Sequence, residues 1–185
     1  KEDLDRIFQA LYPCIQELAA SPYGRPGLFE VAAAVALKYF SDAGVDYAVL
    51  EAGMGGRYDA TRVGSPAVTV FTHIDLDHTE TLGETVELIA AEKAEVIIPG
   101  GTVVTAPQSA AVKRVIADVA ASRGAELIDV EEEYQVSGAQ PGPMGTSFSV
   151  SRRGLWRHFH INLLGLFQIT NAVTALAAVD ALAGK

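Results

Sequence analysis

Strand-like and helix-like segments alternate along most of this 185-residue chain, and the alternation limits the folds that it can adopt. Apolar runs at 45–50, 67–72, 102–106 and 125–130 are typical of buried strands, and helical or glycine-rich segments lie between them. A βαβα order implies an α/β fold with a mostly parallel central sheet flanked by helices.

Periodic apolar positions predict the helices of this fold. We expect helices over 3–20, 29–40, 85–94, 109–123 and 170–182. The second of these is rich in alanine and apolar nearly all round, which favours a helix buried on several sides. Cys14 falls in the first helical pattern and is predicted to be a small core residue.

The pattern changes in the last third of the chain. Short alternating segments at 134–137, 146–152 and 155–163 predict a small antiparallel β segment near 134–163, with Arg153-Gly154 as a hairpin turn. The acidic run 131–133 before it is interpreted as a solvated loop.

Composition excludes several classes of protein. Hydrophobic residues make up 49% of the chain, which indicates a globular protein, and no apolar run has the length of a membrane span. The single cysteine allows no internal disulfide and fits a cytoplasmic protein. A net charge of −9 argues against a nucleic-acid-binding face.

A carboxylate followed by a glycine-rich turn stands at the end of the first apolar run. Glu51 follows residues 45–50, and Gly53, Gly55 and Gly56 come directly after it. Open α/β folds bind ligands at the carboxyl ends of their strands, and glycine lets the backbone approach a ligand closely. The alternative is a tight turn with a solvated glutamate.

Two further residues complete a candidate active site. His78 follows the second apolar run; if the two strands are neighbours, their ends lie side by side, and Glu51 and His78 then form a divalent-metal pair. On chemistry alone Mg²⁺, Mn²⁺ and Zn²⁺ are all arguable, and His78 could instead begin a helix and bond a backbone carbonyl. Lys93 lies fifteen residues further on, where a surface lysine paired with Glu92 or Glu95 is the simplest interpretation.

The motifs taken together resemble the folylpolyglutamate synthase and dihydrofolate synthase family, one of the Mur-type ATP-dependent amide ligases. The resemblance covers nearly the whole chain, in order and at matching separations. It is carried by Glu51-x-Gly-x-Gly-Gly-Arg-x-Asp-Ala-Thr61, Leu76-Asp-His-Thr-Glu80, Leu82-Gly-x-Thr85, Ile89-Ala-x-Glu-Lys-Ala94 and Leu166-x-Gln168-x-x-Asn171-Ala172.

This resemblance implies an activity. Enzymes of the family use ATP to phosphorylate the carboxylate of a folate or dihydropteroate, and the amino group of L-glutamate then attacks the acyl phosphate. Glu51 and His78 match ligands of Mg²⁺ near the ATP phosphates. Lys93 matches a lysine that CO₂ carbamylates, which creates an anion able to support a second metal ion; Lys93 and His78 are therefore the expected catalytic residues.

The resemblance also implies binding roles. Asn171 and Gln168 match the segment that contacts adenine. The expected substrate-binding residues match the loop near the pterin-bearing substrate and are Gly55, Gly56, Arg57 and Asp59.

Four positions depart from the family pattern. Ala33 stands where a threonine is usual, Arg62 where an asparagine follows Ala-Thr, Glu95 where a glycine follows Lys-Ala, and Phe167 where a histidine precedes Gln168. Phe167 removes a polar group from the expected adenine pocket, and Arg62 would alter folate specificity or be solvated.

Two parts of such a ligase are missing from the pattern. The chain contains no G-x-x-x-x-G-K-[ST] phosphate loop, which the family carries upstream, and no counterpart of its glutamate-binding C-terminal domain. We therefore expect residues 1–185 to be an incomplete central ATP-binding domain, inactive alone and monomeric when full length. The alternatives are a shortened, non-catalytic relative that binds a nucleotide or metal, and another Mur-type amide ligase.

Overall fold

The computed structural model of the chain describes residues 2–184, which divide after Val63 into two compact units. We call residues 2–63 the amino-terminal unit and residues 64–184 the sheet unit. The amino-terminal unit contains two helices, α1 (Glu2–Ala19) and α2 (Leu28–Ala43), and a single 3₁₀ turn at Ala60–Arg62. Gly44 ends α2 with φ 62°, a left-handed conformation that glycine adopts without steric cost.

The prediction of a buried strand over 45–50 was wrong. These residues follow α2 as an irregular segment, and the side chains of Tyr47 and Val49 are 73% and 94% exposed. A strand needs a neighbour to satisfy its backbone N–H and C=O groups. Residues 2–63 contain no strand that could pair with this segment.

The helix predicted over 29–40 is present as α2, but its predicted burial was wrong. None of the 16 residues of α2 is buried, and Cys14 of α1 is exposed rather than part of a core. In α1, Ile7 is 1% exposed but Leu4 and Phe8 are 54% and 40% exposed. An apolar surface on several sides of α2 permits burial, but the amino-terminal unit offers only one other long helix to cover it.

The sheet unit confirms the α/β prediction. Its strands β1 (Thr69–Phe71), β2 (Thr102–Thr105) and β3 (Glu126–Asp129) form a parallel sheet in the order β1–β2–β3. Helices α3 (Thr79–Leu82) and α4 (Val86–Ala94) connect β1 to β2, and α5 (Ala110–Ser122) connects β2 to β3. Thr85 and Ser109 cap α4 and α5, each accepting a backbone N–H of the first turn.

Helices and a second sheet cover both faces of the parallel sheet. Val103 packs with Ile89 of α4 and Ile116 of α5, whereas its neighbour Val104 packs in a second cluster with Val173. Successive residues of a strand point to opposite faces, so a continuous apolar run such as 102–106 is the pattern of a strand buried on both sides.

The predicted antiparallel segment is present, and its first strand is longer than predicted. Strands β4 (Tyr134–Gly142), β5 (Gly145–Arg152) and β6 (Leu155–Ile161) pair in that order, and Arg153 and Gly154 make the predicted hairpin turn with φ 51° and 79°. The predicted acidic loop is instead the one-turn helix α6 (Val130–Glu133), capped by Asp129. The last helix, α7 (Phe167–Ala183), begins three residues earlier than predicted.

Among residues 2–184, no helix combines the length and the apolar character needed to cross a lipid bilayer.

Candidate active site

The glycine-rich loop of the amino-terminal unit is organised by the carboxylate of Asp59. Its Oδ2 accepts the backbone N–H of Gly53 at 2.8 Å and that of Met54 at 3.0 Å. Its Oδ1 accepts the backbone N–H of Thr61 at 2.9 Å and the Thr61 hydroxyl. Asp59 therefore joins the beginning of the loop to the 3₁₀ turn that ends it.

The environment of Asp59 favours its charged form. Burial acts to raise the pKa of this carboxyl, but hydrogen bonds from the Thr61 side chain and from the backbone of Met54, Thr61 and Gly53 outweigh burial and lower it below 3.8. Asp59 is thus fully ionised at neutral pH. Its predicted substrate contact would have to share a carboxylate that the loop already uses.

Two of the loop glycines are required by geometry. Gly55 has φ 67°, a conformation that disfavours side chains. A Cβ on Gly53 would lie 2.6 Å from Cζ of Phe29, so the ring of Phe29 packs directly on the backbone here. Gly55 and Gly56 are both buried inside the loop.

The two arginines of the loop lie together. Arg62 donates from Nη1 to the backbone carbonyl of Arg57 at 2.9 Å, so one of the two roles foreseen for Arg62, solvation alone, does not describe it. Arg62 braces the part of the loop that presents Arg57, which is exposed.

Glu51 lies at an apolar cavity of the amino-terminal unit. The cavity has a volume of about 270 Å³, and its lining includes Phe29, Ala33, Leu37, Leu50, Glu51 and Thr61. Glu51 is an exposed carboxylate in this otherwise apolar setting. Its expected position at the end of a strand was wrong, because residues 45–50 form no strand.

His78 does not end a strand either; β1 ends at Phe71, seven residues earlier. His78 is the N-cap of α3 and adopts a left-handed backbone conformation with φ 50°. The backbone N–H of His78 donates to Oδ1 of Asp77 at 2.8 Å, and the imidazole Nε2 lies 3.6 Å from Asp77 Oδ2. The alternative that placed His78 at a helix start is correct in position, and the imidazole there is half exposed.

Gln108, which follows β2, holds the segment that leads to His78. Its Nε2 donates to the carbonyl of Thr72 at 2.8 Å, and its Oε1 accepts the N–H of Ile74 at 3.0 Å. Sequence reasoning missed this residue. The available signal was a polar side chain placed directly after a buried strand, at the edge where α/β folds bind ligands.

Lys93 lies in the last turn of α4 and is partly buried. Glu95, one of its two foreseen ion partners, is engaged by Arg123, whose Nη2 lies 2.9 Å from Glu95 Oε2. Arg123 also donates to the carbonyls of Glu95 and Ile97 and so closes the end of α4. The unusual Glu95 therefore has a structural role.

Gln168 and Asn171 are brought together in the first turn of α7. Asn171 Nδ2 donates to Gln168 Oε1 at 3.0 Å, which leaves the amide NH₂ of Gln168 and the carbonyl oxygen of Asn171 on the same side of the helix. Phe167 beside them is 67% exposed. A Cβ on Gly165 would lie 2.5 Å from the ring of Phe167, so the ring packs on that glycine.

Lys113 forms ion pairs with acidic side chains at the end of β3. Lys113 of α5 lies 2.8 Å from Asp129 and 3.1 Å from Glu131. The hydrogen bonds to Asp129 and then to Glu131 raise the pKa of Lys113 well above its usual range. This ion cluster joins α5 to the end of β3.

The described metal-ligating side chains do not form an all-protein metal cage. Within the part of the chain that the structure describes, no three His, Cys, Asp or Glu side chains converge in a group suited to a metal ion. Mg²⁺ commonly takes only one or two protein ligands and fills its other positions with phosphates and water. A single exposed carboxylate such as Glu51 can serve in that mode of binding without an all-protein cage.

Comparison with known proteins defines the class. The Mur ligase middle domain matches residues 29–179, and the chain belongs to this family. Within it, the resemblance to folylpolyglutamate and dihydrofolate synthases is confirmed. The dihydrofolate synthase/folylpolyglutamate synthase of Bacillus subtilis is 32% identical over 181 residues, covering 97% of this chain and 42% of that protein. The corresponding protein of Mycobacterium tuberculosis is 35% identical, covering 91% and 37%.

Solved structures agree with these relatives. The chain is similar to Mycobacterium tuberculosis folylpolyglutamate synthase complexed with ADP, with a TM-score of 0.91 and 32% identity over 98% of the chain and 42% of that structure. It is similar to a folylpolyglutamate synthase–AMPPCP–folate complex, with a TM-score of 0.88 and 30% identity over 95% and 42%. The chain thus spans about two fifths of the length of the proteins it matches.

Proposed function

We propose that the chain is the central part of an ATP-dependent ligase that adds L-glutamate to folate or dihydropteroate. One observation carries the proposal: the match extends over almost the entire chain to synthases that were solved with ADP and with AMPPCP and folate. The candidate residues lie in the segments that this match covers.

The reaction consists of two transfers. The γ-phosphoryl group of ATP moves to a carboxylate oxygen of the folate or dihydropteroate, and ADP leaves. The amino group of glutamate then attacks the acyl carbon, phosphate leaves, and the amine loses a proton as the amide forms. Both steps develop negative charge on phosphoryl oxygens, which positive groups near the site stabilise.

Each candidate residue has a role in this proposal. Glu51 and His78 would hold Mg²⁺, which supplies positive charge to the phosphates when bound. Gln168 and Asn171 would meet the adenine with paired amides, and Gly55, Gly56, Arg57 and Asp59 would meet the folate. Asp59 acts by keeping the loop closed, because its oxygens already accept four hydrogen bonds.

Lys93 would be carbamylated and so present an anion able to support a second metal ion. Isotope-labelled bicarbonate should then give a carbamate carbon resonance in the product of the complete gene. Lys93→Arg should lack this resonance, because the guanidinium does not form the adduct. An identical resonance in the Lys93→Arg protein would contradict the assignment.

The proposed activity is tested with the product of the complete gene, because residues 1–185 are not expected to act alone. ADP release is measured with folate or dihydropteroate, with and without L-glutamate. Glu51→Ala and His78→Ala should each lower kcat by about 10² or more, since each removes a proposed ligand of the Mg²⁺ that would stabilise the transferring phosphate. Glu126→Ala at the opposite end of the sheet is the matched control and should be unaffected.

The outcomes separate the proposal from its alternatives. Glutamate-dependent ADP release that Glu51→Ala abolishes without a change in thermal stability supports the ligase. ADP or metal binding without turnover by the wild-type protein would favour a non-catalytic relative. Turnover with a different acceptor amine would favour another Mur-type amide ligase.

A further inference from the structure

Side-chain hydrogen bonds join the segments that follow β1 and β2. The last backbone bond between the two strands runs from the N–H of Ala106 to the carbonyl of Phe71 at 2.8 Å. After it, Gln108 donates to the carbonyl of Thr72 and accepts the N–H of Ile74. Gln108 therefore joins the two segments beyond the last backbone bond between the strands.

The Gln108 side chain bonds the backbone on either side of His73. Its amide offers one donor group and one acceptor, so it satisfies both the carbonyl of Thr72 and the N–H of Ile74. Two additional contacts stabilise this arrangement. Gln108 Nε2 lies 3.4 Å from the hydroxyl of Thr105, and His73 Nδ1 lies 3.1 Å from the carbonyl of Pro107. These contacts tether the segment after β1 to the residues that follow β2.

This segment leads directly to the polar groups of the site. Ile74 is 6% exposed and anchors it in the core. Beyond Ile74, Asp75 accepts the N–H of Leu76 and Asp77 accepts that of His78, which then begins α3 in a left-handed conformation. The position of the His78 imidazole therefore depends on where the chain leaves Ile74.

We propose that Gln108 is a positioning residue, whose side chain ties the segment after β1 to the segment after β2 and thereby sets the location of His78 for phosphoryl transfer. The inference rests on the proposed function, in which His78 holds the metal that the ATP phosphates bind. Gln108 itself is assigned no contact with substrate or metal. Its effect passes through the backbone at Thr72 and Ile74.

The test compares Gln108→Leu and Gln108→Glu with the wild type. Leucine removes both bonds at nearly constant size, and glutamate retains the acceptor for Ile74 but loses the donor for Thr72. In residues 1–185, amide hydrogen exchange at Ile74 should become at least tenfold faster in Gln108→Leu and change less in Gln108→Glu. Gln140→Leu on β4 makes the same chemical change on an exposed strand and is the matched control.

A kinetic readout distinguishes positioning from a purely structural role. In the product of the complete gene, Gln108→Leu should lower kcat by about 10-fold to 100-fold while leaving the KM for folate within about twofold, because small displacements of a reacting group are costly. It should also raise the Mg²⁺ concentration needed for half-maximal rate. Gln108→Glu should fall between Gln108→Leu and the wild type.

The possible failures are distinguishable. An inactive wild type overturns the proposed function and this inference with it. An active wild type with unchanged kcat and Mg²⁺ requirement in Gln108→Leu overturns the inference alone, as does unchanged exchange at Ile74. If Gln108→Leu does not fold, Gln108→Glu decides by the same three measurements.

Discussion

Asp59 makes the glycine-rich loop sensitive to acid. The depressed pKa of its carboxyl means that the folded state binds its proton less tightly than the unfolded state does. The stability that Asp59 contributes is therefore present above pH 3.8 and is lost as the pH falls through the lower pKa of the folded protein.

The amides of Gly53 and Met54 report this titration directly, because both donate to Asp59. Their nuclear magnetic resonance shifts should move together, with a midpoint below 3.8. Asp59→Asn should abolish that step and destabilise the loop by about 1–3 kcal/mol, because an amide NH₂ then faces backbone donors. Asp118→Asn on the exposed side of α5 is the control, and a midpoint at or above the ordinary value would contradict the prediction.

Gly53 and Phe29 give a second test at single residues. Gly53→Ala places a Cβ 2.6 Å from the Phe29 ring, so the ring or the loop must move. We expect a loss of about 1–3 kcal/mol, measured by denaturant unfolding. Gly142→Ala is the control, because its nearest contact would be an ordinary 3.6 Å.

A double mutant shows whether the Phe29 ring or the loop backbone causes the loss of stability in Gly53→Ala. If the clash with the ring is responsible, Phe29→Ala should make Gly53→Ala nearly neutral. Additive losses in the double mutant would show that the loop backbone at Gly53, and not the ring, rejects the side chain.

At the level of elements, a polar network ties α7 to the antiparallel sheet. Asp180 of α7 accepts the hydroxyl of Tyr134 at 3.0 Å and two bonds from Arg157 at 2.9 and 2.7 Å. The Arg152 guanidinium lies 5.2 Å from the centre of the Tyr134 ring and also pairs with Glu133. Because α7 carries Gln168 and Asn171, this network fixes the helix that presents the candidate adenine contacts.

Alkaline titration of the Tyr134 hydroxyl should report on this network. Burial, followed by the hydrogen bond to Asp180, raises the pKa of Tyr134 from 10.0 to about 12. A raised pKa means that the stabilisation is present below pH 10.0 and is lost as the pH rises towards 12. The ultraviolet absorbance of phenolate should therefore show one tyrosine titrating late, together with a loss of folded signal.

Tyr134→Phe shows whether Tyr134 is the tyrosine that titrates late. This variant should lose the late step and about 1 kcal/mol of stability, because it removes one buried hydrogen bond. Tyr23→Phe, at a position that is 90% exposed, should leave the late step intact. A late step that persists in Tyr134→Phe would assign it to another tyrosine.

The elements also show what sequence patterns reveal. The strands over 102–106 and 125–130 and the helix over 109–123 were predicted to within two residues. Each has apolar residues where it packs in the sheet unit, and the helix begins at its own N-cap. The strand over 45–50 and the buried helix over 29–40 were wrong because burial of these segments depends on neighbours that residues 2–63 do not supply. Gln108 was missed because its function lies in bonds to a distant segment, which periodicity does not encode.

At the scale of the whole molecule, the two units differ in their cores. Of the side chains described in residues 3–63, Ile7 alone is a buried hydrophobic one, whereas the sheet unit buries two large clusters. Apolar burial stabilises by about 25 cal/mol per Å². The amides of α1 and α2 should therefore exchange through openings of much lower free energy than those of α4, β2 and α5.

Paired substitutions test whether the units unfold independently. Ile7→Ala and Ile116→Ala remove the same side chain from positions that are 1% and 0% exposed, and each should cost about 2–5 kcal/mol in its own unit. In hydrogen exchange measured by mass spectrometry, Ile7→Ala should accelerate α1 and α2 alone, and Ile116→Ala should accelerate α4, β2 and α5. If either substitution accelerates all of these elements equally, residues 2–184 form one cooperative unit, and the weak core around Ile7 does not limit the stability of the loop that carries Glu51 and Asp59.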